Sequence, residues 1–399
     1  MQRSSYSCAV LALLSATANA LNTLTTTETP NGFNGPAMGW STFGFQAINP
    51  TIPGWAPLQQ SNVLQQCNMM ASNSGLKGAG YKYCSLDSGW SADGADTYGR
   101  VLYQATNFPD FNTTFSKTLH DNGLLLGVYV VPGVIQSDVG KTIYKTDIKI
   151  SDALQGQDGN YVDAGNDRYA FDYSKNGTQQ WHDSVVALWA SWGVDLIKLD
   201  YVTPGSCNTN AAYPACDLPG FPIDSSGTVE AYHTAIKNSG RPIRLDISWK
   251  LERNDTYYDI WRANADSMRM DQDINEGSGS AIFVKWATVQ RAINNYREYI
   301  ELQISKNKPL SIYPDMDNMY VGNPEAVSGV TDDQRTSIMS HWIGAAANLI
   351  IGSDLTSLDA HGLDLLTNPA AQAVAVFTAQ FPMQPRNPGT GNSTAQQLQ

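Results

Sequence analysis

A lysine and an aspartate two residues apart set the chemistry to look for. The run Val194-Asp195-Leu196-Ile197-Lys198-Leu199-Asp200 alternates as a β-strand does, so Leu196, Lys198 and Asp200 share one face and Asp195, Ile197 and Leu199 the other. Ile197 and Leu199 suit a layer of helices, which turns Lys198 and Asp200 inward. A neighbouring cation favours the ionised form of a carboxylate, and an ionised carboxylate at a strand end can attack an electrophilic carbon. The plainer alternative is a structural ion pair. A second run repeats the arrangement: Tyr83, Ser85 and Asp87 share a face, and Ser88, Gly89 and Trp90 follow. Asp87 at a rim can accept hydrogen bonds from the hydroxyls of a ligand with Trp90 beside it, although Asp is also common at turns. Tyr129, in line with Leu125 and Gly127, projects into the same space.

These residues need a scaffold that gathers strand ends. Short apolar or β-branched runs alternate with longer stretches of helical period, the pattern of repeated βα units. Strands are expected at 37–43, 81–87, 124–131, 195–200, 243–248, 267–270, 310–313 and 348–351. That makes a (β/α)8 TIM barrel, whose functional groups collect at the C-terminal ends of the strands. Trp181, Val185, Leu188 and Trp192 form an apolar helical stripe leading into the fourth strand. Thr331 with Gln334 reads as a capping box, and 281–302 as a long amphipathic helix. The barrel is expected over 21–381, followed by a polar tail, or the start of a truncated β domain, at 382–399.

The motifs resemble glycoside hydrolase family 27, the α-galactosidases and α-N-acetylgalactosaminidases. Pro36-Ala37-Met38-Gly39-Trp40 is similar to that family's first strand, Tyr83 to Trp90 to its second and Gly127-Val128-Tyr129 to its third. Lys198-Leu199-Asp200 resembles its nucleophile motif. Further on, 267–274, Tyr313-Pro314-Asp315-Met316 and Ser353-Asp354-Leu355 resemble its sixth, seventh and eighth strand ends. The resemblance runs in order from about residue 32 to 385. It implies Asp200 as nucleophile and Asp273 as acid/base, with Asp266 and Asp271 close enough in sequence to compete. It also implies a sugar pocket made by Trp40, Asp87, Ser88, Tyr129, Lys198, Ser248, Arg269 and Asp315. Two such carboxyls about 5–5.5 Å apart hydrolyse a glycoside by double displacement with retention. The chain departs from the pattern at Ser88, where a second Asp is usual, at Tyr201, where a Cys is usual, and at Asp246, which has no counterpart. Ser248 resembles the branch that admits an N-acetyl group. The family's C-terminal β-sandwich is expected to be missing or truncated.

Residues 1–20 read as a signal peptide: Arg3, a brief apolar run and Ala18-Asn19-Ala20. The apolar run is far shorter than the ~20 residues of a membrane span. Export agrees with sequons at Asn112, Asn176, Asn254 and Asn392. Cys207 and Cys216 can form a local disulfide, while Cys67 and Cys84 can pair or stay as buried thiols. A net charge of -12 leaves no basic stripe for nucleic acid. The five His residues show no metal-ligand spacing, and no Gly-rich phosphate loop or Gly-x-Ser-x-Gly elbow occurs. Neither metal nor cofactor is expected, and the expected partner is a carbohydrate. The precise sugar and the oligomeric state stay open. Related family activities (N-acetylgalactosamine, β-L-arabinopyranose or α-glucan release) and a non-catalytic carbohydrate-binding barrel are the alternatives.

Overall fold

The computed structural model describes residues 24–48, 55, 57–156, 168–206 and 224–384. Eight parallel strands make one sheet: β1 Met38–Ser41, β2 Tyr83–Ser85, β3 Leu125–Val130, β4 Val194–Leu199, β5 Arg244–Ile247, β6 Ser267–Arg269, β7 Tyr313–Asp315 and β8 Leu349–Ile351. They lie in the order β7-β6-β5-β4-β3-β2-β1-β8. Hydrogen bonds close the ring between its two ends. Asn348 N–H donates to the Pro314 carbonyl (2.9 Å), and Met319 N–H donates to that of Ile350 (2.7 Å). The main helices between and after the strands are α1 Gln60–Ser72, α2 Ser116–Asp121, α3 Thr178–Ser191, α4 Gly227–Ser239, α5 Asp255–Asn264, α6 Trp286–Lys306, α7 Asp332–Gly344 and α8 Ala360–Thr367. The fold is the expected (β/α)8 barrel.

Side-chain alternation sorts each strand between two environments. Cys84, Leu86, Leu126, Val128, Ile197, Leu199, Leu245 and Ile247 are buried in the apolar core outside the ring, under the helices. Each fully buried Leu or Ile there contributes roughly 1.5–3 kcal/mol. Inside the ring, Ala37, Tyr83 and Leu196 fill a small apolar layer. A polar layer lies further along the strands, where the register aligns Tyr129 with Lys198, Lys198 with Asp246, and Asp246 with Ser267. The interior is narrow at Gly127: a Cβ there would lie 2.6 Å from Ser85 Oγ. Asp195, on the outer face of β4, accepts from Leu126 N–H (2.9 Å) and pairs with His120 and Arg241, so its charge is matched on that face.

Two expected elements shift, each for a local reason. β7 spans Tyr313–Asp315 rather than 310–313, although it contains Pro314. Tyr313 N–H bonds to Asp266 and the Asp315 carbonyl accepts from Met270, while Pro314 offers only its carbonyl to β8. The missing proline donor therefore falls on the side where no ladder bond needs it. Helix α6 begins at Trp286 because Val284 is held in a bridge with Asn275. A hairpin, Ser91–Ala95 with Val101–Tyr103, and a second antiparallel pair, Val134–Ile135 with Arg168–Tyr169, were not expected and follow β2 and β3. The capping box at Thr331 and Gln334 is present. Beyond residue 381 the chain remains attached through Gln384, whose side chain bonds to both backbone groups of Leu24.

Cys67 on α1 and Cys84 on β2 form a disulfide, which resolves the alternative left by the sequence. Cys207, Cys216, the first twenty residues and Asn392 lie outside the described residues, whereas Asn112, Asn176 and Asn254 are exposed. A cross-link closing a short loop chiefly restricts the unfolded chain. Cys67→Ala/Cys84→Ala should therefore lower the denaturant-measured stability by about 2–4 kcal/mol. Reductant should destabilise the wild type to a similar extent and leave the double variant unaffected. Among the described residues no helix is long and apolar enough to cross a membrane.

Candidate active site

A pocket of about 440 Å³, counting the space open to solvent, lies at the C-terminal ends of the strands. Its wall includes Asp87 and Ser88 after β2, Tyr129 on β3, Asp200 and Tyr201 after β4, Ser248 and Trp249 after β5, and Arg269, Asp271, Gln272 and Asp273 from β6 onward. Seven of the ten residues inferred from sequence therefore share one concave surface: Asp87, Ser88, Tyr129, Ser248 and Arg269 line it together with the two proposed catalytic carboxylates, Asp200 and Asp273, while Lys198, Asp315 and Trp40 are not part of its wall.

Lys198 Nζ donates to Asp87 Oδ2 at 2.7 Å and stands 4.8 Å from the centre of the Phe43 ring. Burial alone would lower its pKa; the Asp87 and Asp200 carboxylates outweigh that, so Lys198 holds its proton above the ordinary range. The sequence paired Lys198 with Asp200. In the structure its hydrogen bond goes to Asp87, and its influence on Asp200 is through charge. Asp200 is half-buried, and its Oδ1 accepts from Tyr201 N–H at 2.9 Å.

Arg269 is the hub on the opposite side. It bonds to Asp273 Oδ1 (2.7 Å) and Asp317 Oδ2 (2.6 Å), and approaches Ser248 Oγ at 3.5 Å. Burial opposes its charge, but Asp317 and Asp273 more than compensate. Asp317 also accepts Ile274 N–H at 2.9 Å, so it fixes the backbone beside Asp273. The Asp273 carboxyl is pushed up to about 6, first by the protein crowded around it, with Asp317 and Asp200 adding to the rise and Arg269 and Lys198 opposing it. Its side chain is nevertheless 56% exposed at the pocket. Water reaching it moderates the burial contribution, and the like charges preserve the upward direction. A carboxyl poised there can deliver a proton near neutral pH.

Deeper in the ring, Asp246 and Asp315 are buried together. Burial and then the charge of Asp315 raise the Asp246 pKa well above the carboxylate range; Asp315 is raised by burial, against the pull of Arg269. Asp246 accepts from Ser267 Oγ at 2.6 Å, so its place is in the barrel's polar layer.

The two competing acids have other partners. Asp266 accepts from Thr29, Asn31 and Leu245 N–H at the far end of β6. Asp271 is fully buried and held by Arg291 (2.8 Å) and Asn295 (2.9 Å). Trp40 is also fully buried: its indole N–H donates to the Ser353 carbonyl at 3.0 Å, and its ring meets Phe45 and Trp55. Trp90 does not stand beside Asp87 facing the pocket. It is buried against Phe111 and Trp189, its N–H on the Tyr129 carbonyl. The aromatic wall is instead Tyr201 stacked on Trp249, ring centres 5.2 Å apart.

A family model described as alpha galactosidase A matches residues 35–153 and 154–377. Alpha-galactosidase 3 of Hypocrea jecorina is 48% identical over 392 residues, 95% of this chain and 59% of that protein. The chain belongs to the alpha-galactosidase A family. Within that family, putative alpha-galactosidase 8 of Emericella nidulans is 38% identical over 95% of this chain and 74% of its own length. Among solved structures, a family 27 β-L-arabinopyranosidase of Geobacillus stearothermophilus aligns with a TM-score of 0.67 at 25% identity, covering 88% of this chain and 78% of that one. An α-galactosidase of Saccharomyces cerevisiae shares the fold, with a TM-score of 0.62 at 20% identity over 90% and 68% of the two chains. The chain spans 59% of the length of the Hypocrea relative.

In this family member Asp317 is the site residue that sequence reasoning missed. Strand alternation could not place it: it lies two positions past the end of β7 and adopts a positive φ of 74°, so the turn after the strand sets its direction. Its negative charge raises the Asp273 pKa, so Asp317→Asn should lower it, and the released Arg269 should pair more closely with Asp273 and lower it further. If Asp273 acts as an acid, activity is present below its pKa and lost as pH rises through it. The alkaline limb of kcat/KM, expected near 6 in the wild type, should then move to lower pH in Asp317→Asn. A limb that stays in place would remove Asp317 from the account.

Proposed function

We propose that this chain is the catalytic barrel of a secreted retaining glycoside hydrolase that removes terminal α-linked galactose-type residues. The observation that carries the reading is one pocket wall bearing Asp200 and Asp273, with Arg269 bonded to Asp273 and Lys198 bonded to Asp87. Asp200 attacks the anomeric carbon while Asp273 gives its proton to the departing oxygen. Water then attacks the glycosyl-enzyme with Asp273 as base, and the configuration is retained. Asp87 and Lys198 bind ring hydroxyls remote from the reacting carbon, and Tyr201 with Trp249 covers an apolar sugar face. Membership in a family whose curated members are named alpha-galactosidases supports the sugar class. Secretion is supported by the leader-like N-terminus, the disulfide and the exposed sequon asparagines.

A panel of aryl α-glycosides of galactose, N-acetylgalactosamine and glucose, with aryl β-L-arabinopyranoside, tests this reading. The α-galactoside should be cleaved, and proton NMR should show the α-anomer of the free sugar first. The arabinopyranoside belongs in the panel because it lacks the hydroxymethyl group and Ser88 is an uncharged, exposed residue on the wall. A charge-assisted hydrogen bond is worth roughly 1.5–3 kcal/mol, or about 10- to 150-fold. Ser88→Asp should therefore raise kcat/KM on the α-galactoside by about tenfold or more. No gain would mean that Ser88 does not face a galactose hydroxyl.

A further inference from the structure

A second, larger cavity adjoins the catalytic pocket, and we infer that it is a glycone-side subsite, which receives a further sugar carried by the residue whose bond is cleaved. Counting the space open to solvent, it spans about 1390 Å³, against 440 Å³ for the first, and shares Ser88, Tyr129 and Tyr201 with it. Those three residues stand at the ends of β2, β3 and β4. Beyond them the cavity is lined by both antiparallel strand pairs, through Gly94 on one and Arg168 on the other, and by the buried Asp138.

Its position relative to the catalytic carboxyls decides what it holds. On the proposed mechanism the departing oxygen lies beside Asp273, which follows β6. In the ring order β6 is separated from β2 by three strands on one side, β3, β4 and β5, and by β7, β8 and β1 on the other. The leaving group is therefore directed away from the β2 and β3 ends. What lies toward Ser88 and Asp87 is the part of the glycone remote from the anomeric carbon, and a substituent there would extend into the second cavity. Ser88 is the threshold: small, exposed and uncharged, it leaves an opening that a larger charged side chain would narrow. The lining suits a saccharide, with tyrosine rings for its apolar faces and the Arg168 guanidinium for its hydroxyls, while Asp138 is paired with Lys141.

The inference rests on the hydrolase reading and widens it from terminal galactose-type residues to ones that carry a further sugar, and one comparison separates the two. Wild type is assayed on p-nitrophenyl α-galactopyranoside and on the p-nitrophenyl α-glycoside of a disaccharide whose galactose carries a second hexose at position 6. The disaccharide glycoside should be cleaved with kcat/KM at least equal to that of the monosaccharide, releasing the intact disaccharide. Gly94 lines the second cavity and a Cβ there meets nothing within 4 Å, so Gly94→Trp places a large ring at that wall. It should reduce disaccharide release by tenfold or more and leave the monosaccharide reaction within twofold of wild type. Cleavage of the monosaccharide alone would overturn the subsite while sparing the hydrolase. So would an equal loss on both substrates in Gly94→Trp, or a rate that responds only to longer leaving groups. Failure to cleave either substrate would overturn the hydrolase reading and the subsite with it.

Discussion

Asp200→Asn is expected to reduce turnover by roughly 10⁴-fold or more, equivalent to about 5.5 kcal/mol of barrier, with no change in the melting transition. The substitution keeps the shape of the side chain and the oxygen that accepts the Tyr201 N–H. What it removes is the negative charge that must form the covalent bond. Far-UV circular dichroism and a thermal melt alongside the assay separate loss of chemistry from loss of fold. A variant retaining a tenth of wild-type activity would exclude Asp200 as the nucleophile.

Asp273→Ala should produce a pattern rather than a uniform loss. Natural saccharide leaving groups need a proton from the acid, so their hydrolysis should fall by about 10²- to 10⁴-fold. A nitrophenolate leaves without help, so formation of the glycosyl-enzyme from the activated glycoside should be far less affected. Azide, which needs no general base, should accelerate turnover of the activated substrate and yield a glycosyl azide. The same pattern in Asp271→Ala would move the acid two residues upstream. Asp271 already bonds to Arg291 and Asn295, which makes its substitution more costly to stability than to proton transfer.

The strands and their inward faces were legible because parity along a strand is a geometric constraint that burial enforces. Lys198, Asp246, Arg269 and Asp315 are all one step out of phase with an apolar neighbour in the outer core, such as Ile197, Ile247 or Met268. Parity ends where the strand ends. Trp90 lies past β2 and turns into the core, and no strand rule could assign its direction. Tyr201 and Trp249 adopt positive φ (55° and 101°) immediately after β4 and β5, a conformation rarely taken by bulky residues, so their stacking over the pocket could not be read from alternation. Trp40 had the expected position on β1, but its indole is turned to the Ser353 carbonyl beneath the pocket wall. The antiparallel strand pairs that border the second cavity were missed because each strand is only two to five residues long, too short for an alternating pattern to stand out.

The central claim is that Asp200 forms a covalent glycosyl-enzyme. Incubation with a mechanism-based fluoro-sugar of the galactose series, followed by proteolysis and mass spectrometry, tests it most directly. The account predicts one sugar per chain, attached to the peptide at Asp200, with activity lost in proportion to labelling and no label in Asp200→Asn. Labelling at Asp273 or another carboxylate, or active enzyme that never accumulates a covalent adduct and releases an inverted sugar, would contradict it.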